Sequence, residues 1–195
     1  MNNDEIEWLY FNNKTNTERY ILGESGKSIV ACIGINPSTA EPNLLDPTMK
    51  KVKRISSFNG FDGWVMYNVY PQRATNPSQL HTKINSESRI KNNGLIRQSI
   101  EHLGIDTIWV AYGDLIETRN YLPFCLADLF MKLGDLKVNW KIVKSTTKKG
   151  HPRHPLYQKG ESEFLDFDME KYINEIIKPK TKEFDKIYID GIELK

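Results

Sequence analysis

"SIVACIGINPSTAE", residues 28–41, changes character halfway along, and the fold follows from how that change is read. The first half, "SIVACIGI" (28–35), is a short and nearly continuous apolar run. That pattern suits a strand buried on both faces, as in a parallel sheet. The second half opens on "NPST", polar side chains around a rigid proline. Groups of this kind end a buried strand where they cap something or hold something.

Outward from this stretch the chain alternates. "DPTMKKVKRISSFNGF" places Asp46 as an N-cap, Pro47 at the first helical position and Asn-Gly at the far end, which are helix start and stop signals in order. "GWVMYNVY" (63–70) reads as the next strand. "SRIKNNGLIRQSIEHLG" reads as a helix interrupted by Gly94, and "DTIWVAYG" (106–113) as a third buried strand. "TRNYLPFCLADLFMKLG" is a helix closed by Gly134, and "NWKIVKST" (139–146) a fourth strand. Before them, "EIEWLYFNNKTNTERYIL" (5–22) reads as a hairpin turning at "NNKTN". After them, "ESEFLDFDMEKYINEII" reads as an acidic amphipathic helix, and "KPKTKEFDKIYIDGIELK" as a linker plus a short strand or hairpin.

Strand and helix in alternation predict an α/β fold: a doubly wound, mostly parallel four-stranded sheet flanked by helices. An N-terminal hairpin and a C-terminal helical extension complete it. Residues 1–158 form one domain, on which 159–195 pack as an extension. At 195 residues the chain suits one sizeable core.

In such sheets ligands bind outside the carboxyl ends of the strands. The polar loops fall there: "NPST", "NVYPQRAT", "YGD" and "TKKGHPRHPLY" end the four strands in turn. Asn36 and Ser38 are therefore expected to face a cleft, with Pro37, Thr39 and Thr75 beside them as binding candidates.

The chain as a whole narrows the function classes. It is 39% hydrophobic and 27% charged, with a formal net charge of +2, which permits contact with phosphates without demanding it. Its two cysteines, Cys32 and Cys125, sit in apolar surroundings and read as reduced core thiols of a cytosolic protein. Two thiols cannot supply a four-cysteine zinc site or iron–sulfur cluster. No apolar run approaches the roughly 20 residues of a membrane span, and "MNNDEIEW" is too acidic for a signal peptide, so no membrane partner is expected. No P-loop, GxSxG or GxGxxG is present, which argues against ATP hydrolysis, a serine esterase and a dinucleotide enzyme.

Three loops carry the candidate chemistry. In "HPRHPLY" (151–157) two prolines stiffen a loop that holds His151 and His154 at defined angles, with Arg153 between them to meet a phosphate or a developing anion. The alternative is a rigid turn whose histidines cap backbone groups. In "YNVYPQRAT" (67–75) the Asn68 amide both donates and accepts, as reading a base edge requires, and Arg73 suits phosphate or carboxylate. The alternative has Asn68 capping a turn and Arg73 pairing with an acid. Asp46 has a strong structural reading as an N-cap and is also the nearest carboxylate for a general base, with Asp114 a weaker candidate. The two loop histidines lack a recognisable carboxylate partner spacing, so neither a metal nor any other cofactor is expected.

The set "GINPSTAE … DPT … NVYPQRAT … YG … GHPRHPLY" closely resembles a bacterial and phage family of proteins of unknown function, with N-P-S-T-A, D-P-T, N-x-x-x-x-R-A-T and P-R-H-P-L-Y boxes. The resemblance covers about residues 18–158. More distantly, the strand order and motif positions are similar to those of the uracil-DNA glycosylase superfamily. Gly34, Pro37 and Glu41 fit its G-x-x-P-G-x-x-E motif, and Gly-Ile-Asn-Pro resembles the mismatch-specific branch, in which the Asn helps position the attacking water. Asn68, Val69 and Arg73 resemble the N-V-x-x-x-R whose Asn reads the flipped base. His154 and Pro155 resemble the His-Pro-Ser loop, whose His stabilises the departing base anion beside an apolar wedge, here Leu156 or Tyr157. Ser38 stands where those glycosylases keep Gly, and Leu156 where they keep Ser.

These readings lead to a nucleobase- or nucleotide-recognising protein, a base N-glycosylase-like hydrolase acting on DNA or a modified nucleotide. Asn36 or Asp46 would handle water, Asn68 the base and His154 the leaving group, with Arg73 and Arg153 on phosphates. The alternatives are a non-catalytic nucleic-acid or nucleotide binder, and a protein-binding role for the acidic segment Glu161–Glu175.

Overall fold

The computed structural model describes residues 6–181. It is an α/β fold built on one mixed sheet of seven strands and four α-helices. In chain order these are β1 (Trp8–Asn12), β2 (Arg19–Glu24), β3 (Ile29–Gly34), α1 (Pro47–Phe58), β4 (Gly63–Asn68), α2 (Ser86–Leu103), β5 (Thr107–Val110), α3 (Tyr121–Leu133), β6 (Asn139–Val143), β7 (Phe164–Asp166) and α4 (Met169–Tyr172). The spatial order is β1-β2-β4-β3-β5-β6-β7, with β4, β3, β5 and β6 mutually parallel and the outer strands β2 and β7 antiparallel to their neighbours.

The parallel centre follows the expected four strands. Its alternation decides which face each residue covers. Val30, Cys32, Trp64, Met66 and Trp109 pack against Met49, Val52 and Ile55 of α1. Their sequence neighbours Ala31, Ile33, Val65, Tyr67 and Ile108 pack on the other side with Ile96 and Ile100 of α2 and Leu122 and Leu126 of α3. Helices therefore cover both faces, and both cysteines are buried free thiols, raised in pKa by that burial.

The expected four-stranded sheet is corrected to seven. The hairpin β1–β2 turns at Asn13–Glu18 as anticipated, but β2 also pairs with β4 from Leu22↔Met66 to Glu24↔Trp64, so the hairpin is part of the sheet. At the opposite edge, the acidic stretch read as one helix begins as β7, paired to β6 from Lys141↔Asp166 to Val143↔Phe164. Helix starts only after Asp168, which caps α4 through the Lys171 N–H at 2.8 Å, and continues as a π-helical turn over Ile173–Ile177. Gly94 does not interrupt α2: the helix runs through it, and nothing lies within 4 Å of where its Cβ would be. The short strand or hairpin expected near the C-terminus lies, beyond Thr181, outside the described residues.

Candidate functional site

The four central strands run in one direction, so their carboxyl ends and the loops after them share one edge of the sheet. At that edge lies a cavity of about 510 Å³, within the usual range for small-molecule sites. It is walled by the ends of β3 and β4, the N-terminus of α1 and the loop holding His154. Strand ends supply rigid positions there, and loops supply polar side chains.

Asn68, the last residue of β4, is 1% exposed and borders the cavity. Both amide atoms, Nδ2 and Oδ1, lack a hydrogen-bond partner among the described residues. Its backbone is held: the Asn68 carbonyl accepts a bond from Asn92 Nδ2 at 2.9 Å. Gly34, its partner across the parallel register, makes the room, since a Cβ there would lie 3.1 Å from Asn68 Oδ1 and 2.4 Å from Met66 Cε.

Asp46 and Asn36 also border the cavity. Asp46 caps α1 as expected, with Oδ1 accepting the Met49 N–H at 2.9 Å. Asn36 Nδ2 donates to Pro37 O at 3.0 Å and Ala74 O at 2.8 Å, tying the loop after β3 to the loop after β4. Both amide hydrogens are thereby used, so Asn36 can face a ligand only through Oδ1.

His154 caps the turn Pro155–Tyr157, its Nδ1 accepting the Leu156 N–H at 3.3 Å. An accepting Nδ1 places the ring proton on Nε2. Burial lowers the His154 pKa below its ordinary 6.5, against a weaker pull upward from Asp46, so the ring is neutral near pH 7. The backbone behind it is fixed by Gly113, whose N–H donates to Pro152 O at 2.8 Å with φ at +64°. Leu156 and the largely exposed Tyr157 form part of the rim, with Leu115.

Other expected residues take different places. Ser38, Thr39 and Thr75 line the cavity, whereas Pro37 is buried behind it with its carbonyl accepting the Ala74 N–H. Arg73 is turned inward: it donates to Ser38 O at 2.6 Å and Tyr10 Oη at 2.9 Å and pairs with Glu41 at 3.4 Å. It clamps the loop after β3, and the alternative of an acid-paired arginine describes its surroundings. Arg153 donates to Ser145 O at 2.8 Å and Thr146 O at 3.2 Å beside a smaller adjoining depression.

His151 is fully buried and does not border the cavity. Its Nδ1 lies 2.8 Å from Tyr172 Oη and its Nε2 3.1 Å from Glu117 Oε1. Glu117 also binds Lys149 and Lys180, and with His151 these cations hold its pKa down at about 2. This cluster joins the C-terminal segment to the loop after β5. Asp114 is tied to Thr147 Oγ1 at 2.5 Å.

Among the cavity residues that the sequence does not mark, Arg19 is the charged one. Arg19, the first residue of β2, is 1% exposed and borders the cavity, because β2 lies beside β4. Its position just after "NTE" looks like an ordinary polar strand end, and no local signal marks it as buried. Among the described residues no group of three or more His, Cys, Asp or Glu is placed to hold a metal ion, and no helix is long and apolar enough to cross a membrane.

The family model described as "Protein of unknown function (DUF1643)" matches residues 19–156, and the chain belongs to that family. No curated protein matches the chain.

Proposed function

We propose that the cavity binds a nucleobase and that the protein is a base N-glycosylase-like hydrolase acting on DNA or a modified nucleotide. One observation carries the reading. The Asn68 amide is buried at the cavity with both its donor and its acceptor unused by the described residues. A buried polar group without a partner costs about 1–3 kcal/mol, which a ligand offering a complementary donor–acceptor pair would recover. The edge of a nucleobase is such a pair. The likeness of the NPSTA, NVYPQRAT and PRHPLY stretches to glycosylase motifs points the same way.

The residues around Asn68 suit cleavage of a base–sugar bond. Water would attack the anomeric carbon as the C1′–N bond breaks and its electron pair leaves on the base. Neutral His154, with its proton on Nε2, can donate that N–H to the developing anion. Asn36 Oδ1 would orient the water, and Asp46, whose Oδ1 is engaged as a cap, would accept its proton through Oδ2. Leu156 and Tyr157 at the rim would occupy the space a flipped base leaves.

A cleavage screen across uracil, hypoxanthine and oxidised bases in single- and double-stranded oligonucleotides tests the reading. Release of one base, lost in Asn68→Ala, is expected. A flat screen, with no base raising the melting temperature, would remove it.

A second reading, a non-catalytic nucleotide binder, is favoured by the double duty of Asp46, since a carboxylate tied to a helix cap is a weakened base. Asn36→Ala separates the two. Lost turnover with retained binding supports catalysis, and binding without turnover in the wild-type protein supports the second.

A further inference from the structure

Among the described residues, buried side-chain nitrogens and oxygens without partners occur on several residues, and of these Asn68 and Arg19 border the cavity at the strand ends. Arg19 is the more unusual. A buried guanidinium normally sits against a carboxylate, because taking the charge out of water is costly unless it is paired and hydrogen-bonded. The other inward arginines obey this: Arg89 pairs with Asp128, and Arg73 with Glu41. Arg19, more buried than either, forms no ion pair among the described residues. The one hydrogen bond its guanidinium makes there runs from Nη1 to Ala40 O at 2.7 Å, and its Nε has no partner.

Its surroundings do not offer a substitute. Burial and the nearby Arg73 lower the Arg19 pKa to about 10, while Asp46, Tyr10 and Glu41 act on it only through space. Asp46 is engaged at the α1 cap and Glu41 at Arg73 and Asn16. A guanidinium with unspent donors on a cavity wall is a recognition group for oxygen acceptors, which it can meet with two N–H groups at once.

We propose that Arg19 is a ligand-binding residue of this cavity and takes an oxygen acceptor of the molecule whose base edge Asn68 reads. This rests on the base-binding reading above and deepens it: the ligand must carry an oxygen that accepts from a guanidinium. That oxygen belongs either to an oxo group of the heterocycle or to a phosphate attached to it. Ser38, Thr39 and Thr48, which also line the cavity, add hydroxyl groups that suit either oxygen. Ligands lacking the oxygen leave a buried cation unanswered and are rejected for that reason.

The experiment compares ligand pairs by calorimetry on the full chain. Hypoxanthine against purine isolates the oxo group, and inosine 5′-monophosphate against inosine isolates the phosphate. The wild-type protein is expected to prefer the oxygen-bearing member of one pair by about 10- to 100-fold, the preference shrinking to about threefold or less in Arg19→Met. The pair that responds identifies the oxygen. A merely structural Arg19 would alter the melting temperature and leave the preference intact, which overturns the proposal. Should Arg19→Met not fold, wild-type protein with ¹⁵N-labelled arginine decides. The Arg19 Nε–H resonance, assigned with Arg19→Lys, moves with the oxygen-bearing ligand alone, and an unmoved resonance overturns the proposal. Asn68→Ala is measured in parallel. Binding lost there while Arg19→Met keeps its preference sinks only the role of Arg19, whereas no binding by wild-type protein sinks the base-binding reading as well.

Discussion

Gly34 and Asn68 face each other across the parallel register of β3 and β4, and the missing side chain of the first leaves space for the amide of the second. A Cβ at Gly34 would press on Met66 Cε at 2.4 Å and approach Asn68 Oδ1 at 3.1 Å. Gly34→Ala is therefore expected to cost about 1–3 kcal/mol in chemical denaturation, as overpacking does, and to weaken ligand binding by displacing the amide. Unchanged stability with unchanged binding would show that the thioether simply swings aside.

Asn68→Ala should separate stability from function. The amide atoms it removes have no partner among the described residues, so the substitution ends a penalty of about 1–3 kcal/mol while losing little packing beside a cavity. The melting temperature is expected to hold or rise as the proposed base binding disappears, the trade-off expected of a binding residue. A fall of several degrees would instead assign Asn68 a structural bond.

Arg73 behaves as a clamp, and its removal should be felt in the fold. Arg73→Met leaves Ser38 O and Tyr10 Oη without their Arg73 donor and Glu41 with Asn16 alone, and a loss of about 2–4 kcal/mol in urea denaturation is expected. A variant of wild-type stability that fails only to bind phosphorylated ligands would restore the phosphate-holding role.

His154 ties stability to pH. Its folded-state pKa is depressed by burial below 6.5, so the unfolded chain binds the proton more readily. The contribution of this residue is fully present above pH 6.5 and is lost as pH falls through the folded-state value. Melting curves between pH 7.5 and about pH 5 should therefore flatten in His154→Gln. The proposed base release is expected to fall over the same window, because the imidazolium has no lone pair at Nδ1 for the Leu156 N–H.

Glu117 works in the opposite pH range but with the same sign. Lys149, Lys180 and His151 hold its pKa at about 2 against an ordinary 4.5. Its stabilisation is present above pH 4.5 and lost as pH falls toward 2. Glu117→Gln should lower the melting temperature near neutral pH and remove much of the acid-induced loss below pH 4.5. A parallel pair of melting curves would mean the cluster is screened by solvent.

The unit from β3 through α1 to β4 was legible because its signals are local. An unbroken apolar run, an Asp-Pro cap and a second apolar run each act over a few residues, and the structure places them within a residue or two of expectation. The alternation of strand and helix then brought the four polar loops to one edge, and with them Asn36, Ser38, Asp46, Asn68 and His154 to one cavity.

What neighbours decide could not be read in that way. Phe164–Asp166 is a strand only because β6 has an open edge beside it, although its acidic surroundings resemble the start of a helix. His151 and His154 stand in the same short loop, yet one is sealed against Tyr172 and Glu117 while the other borders the cavity. Arg73 turned inward, and Arg19 came to the cavity from a hairpin far away in the chain, because β2 pairs with β4. The sequence by itself determined the periodicity, the caps and the edge where polar groups gather. Only the tertiary structure decided which side chains spend their hydrogen bonds on the protein and which are left without a partner among the described residues. Periodicity and capping are short-range properties of the backbone, whereas a charged side chain is satisfied by whatever distant segment packs against it.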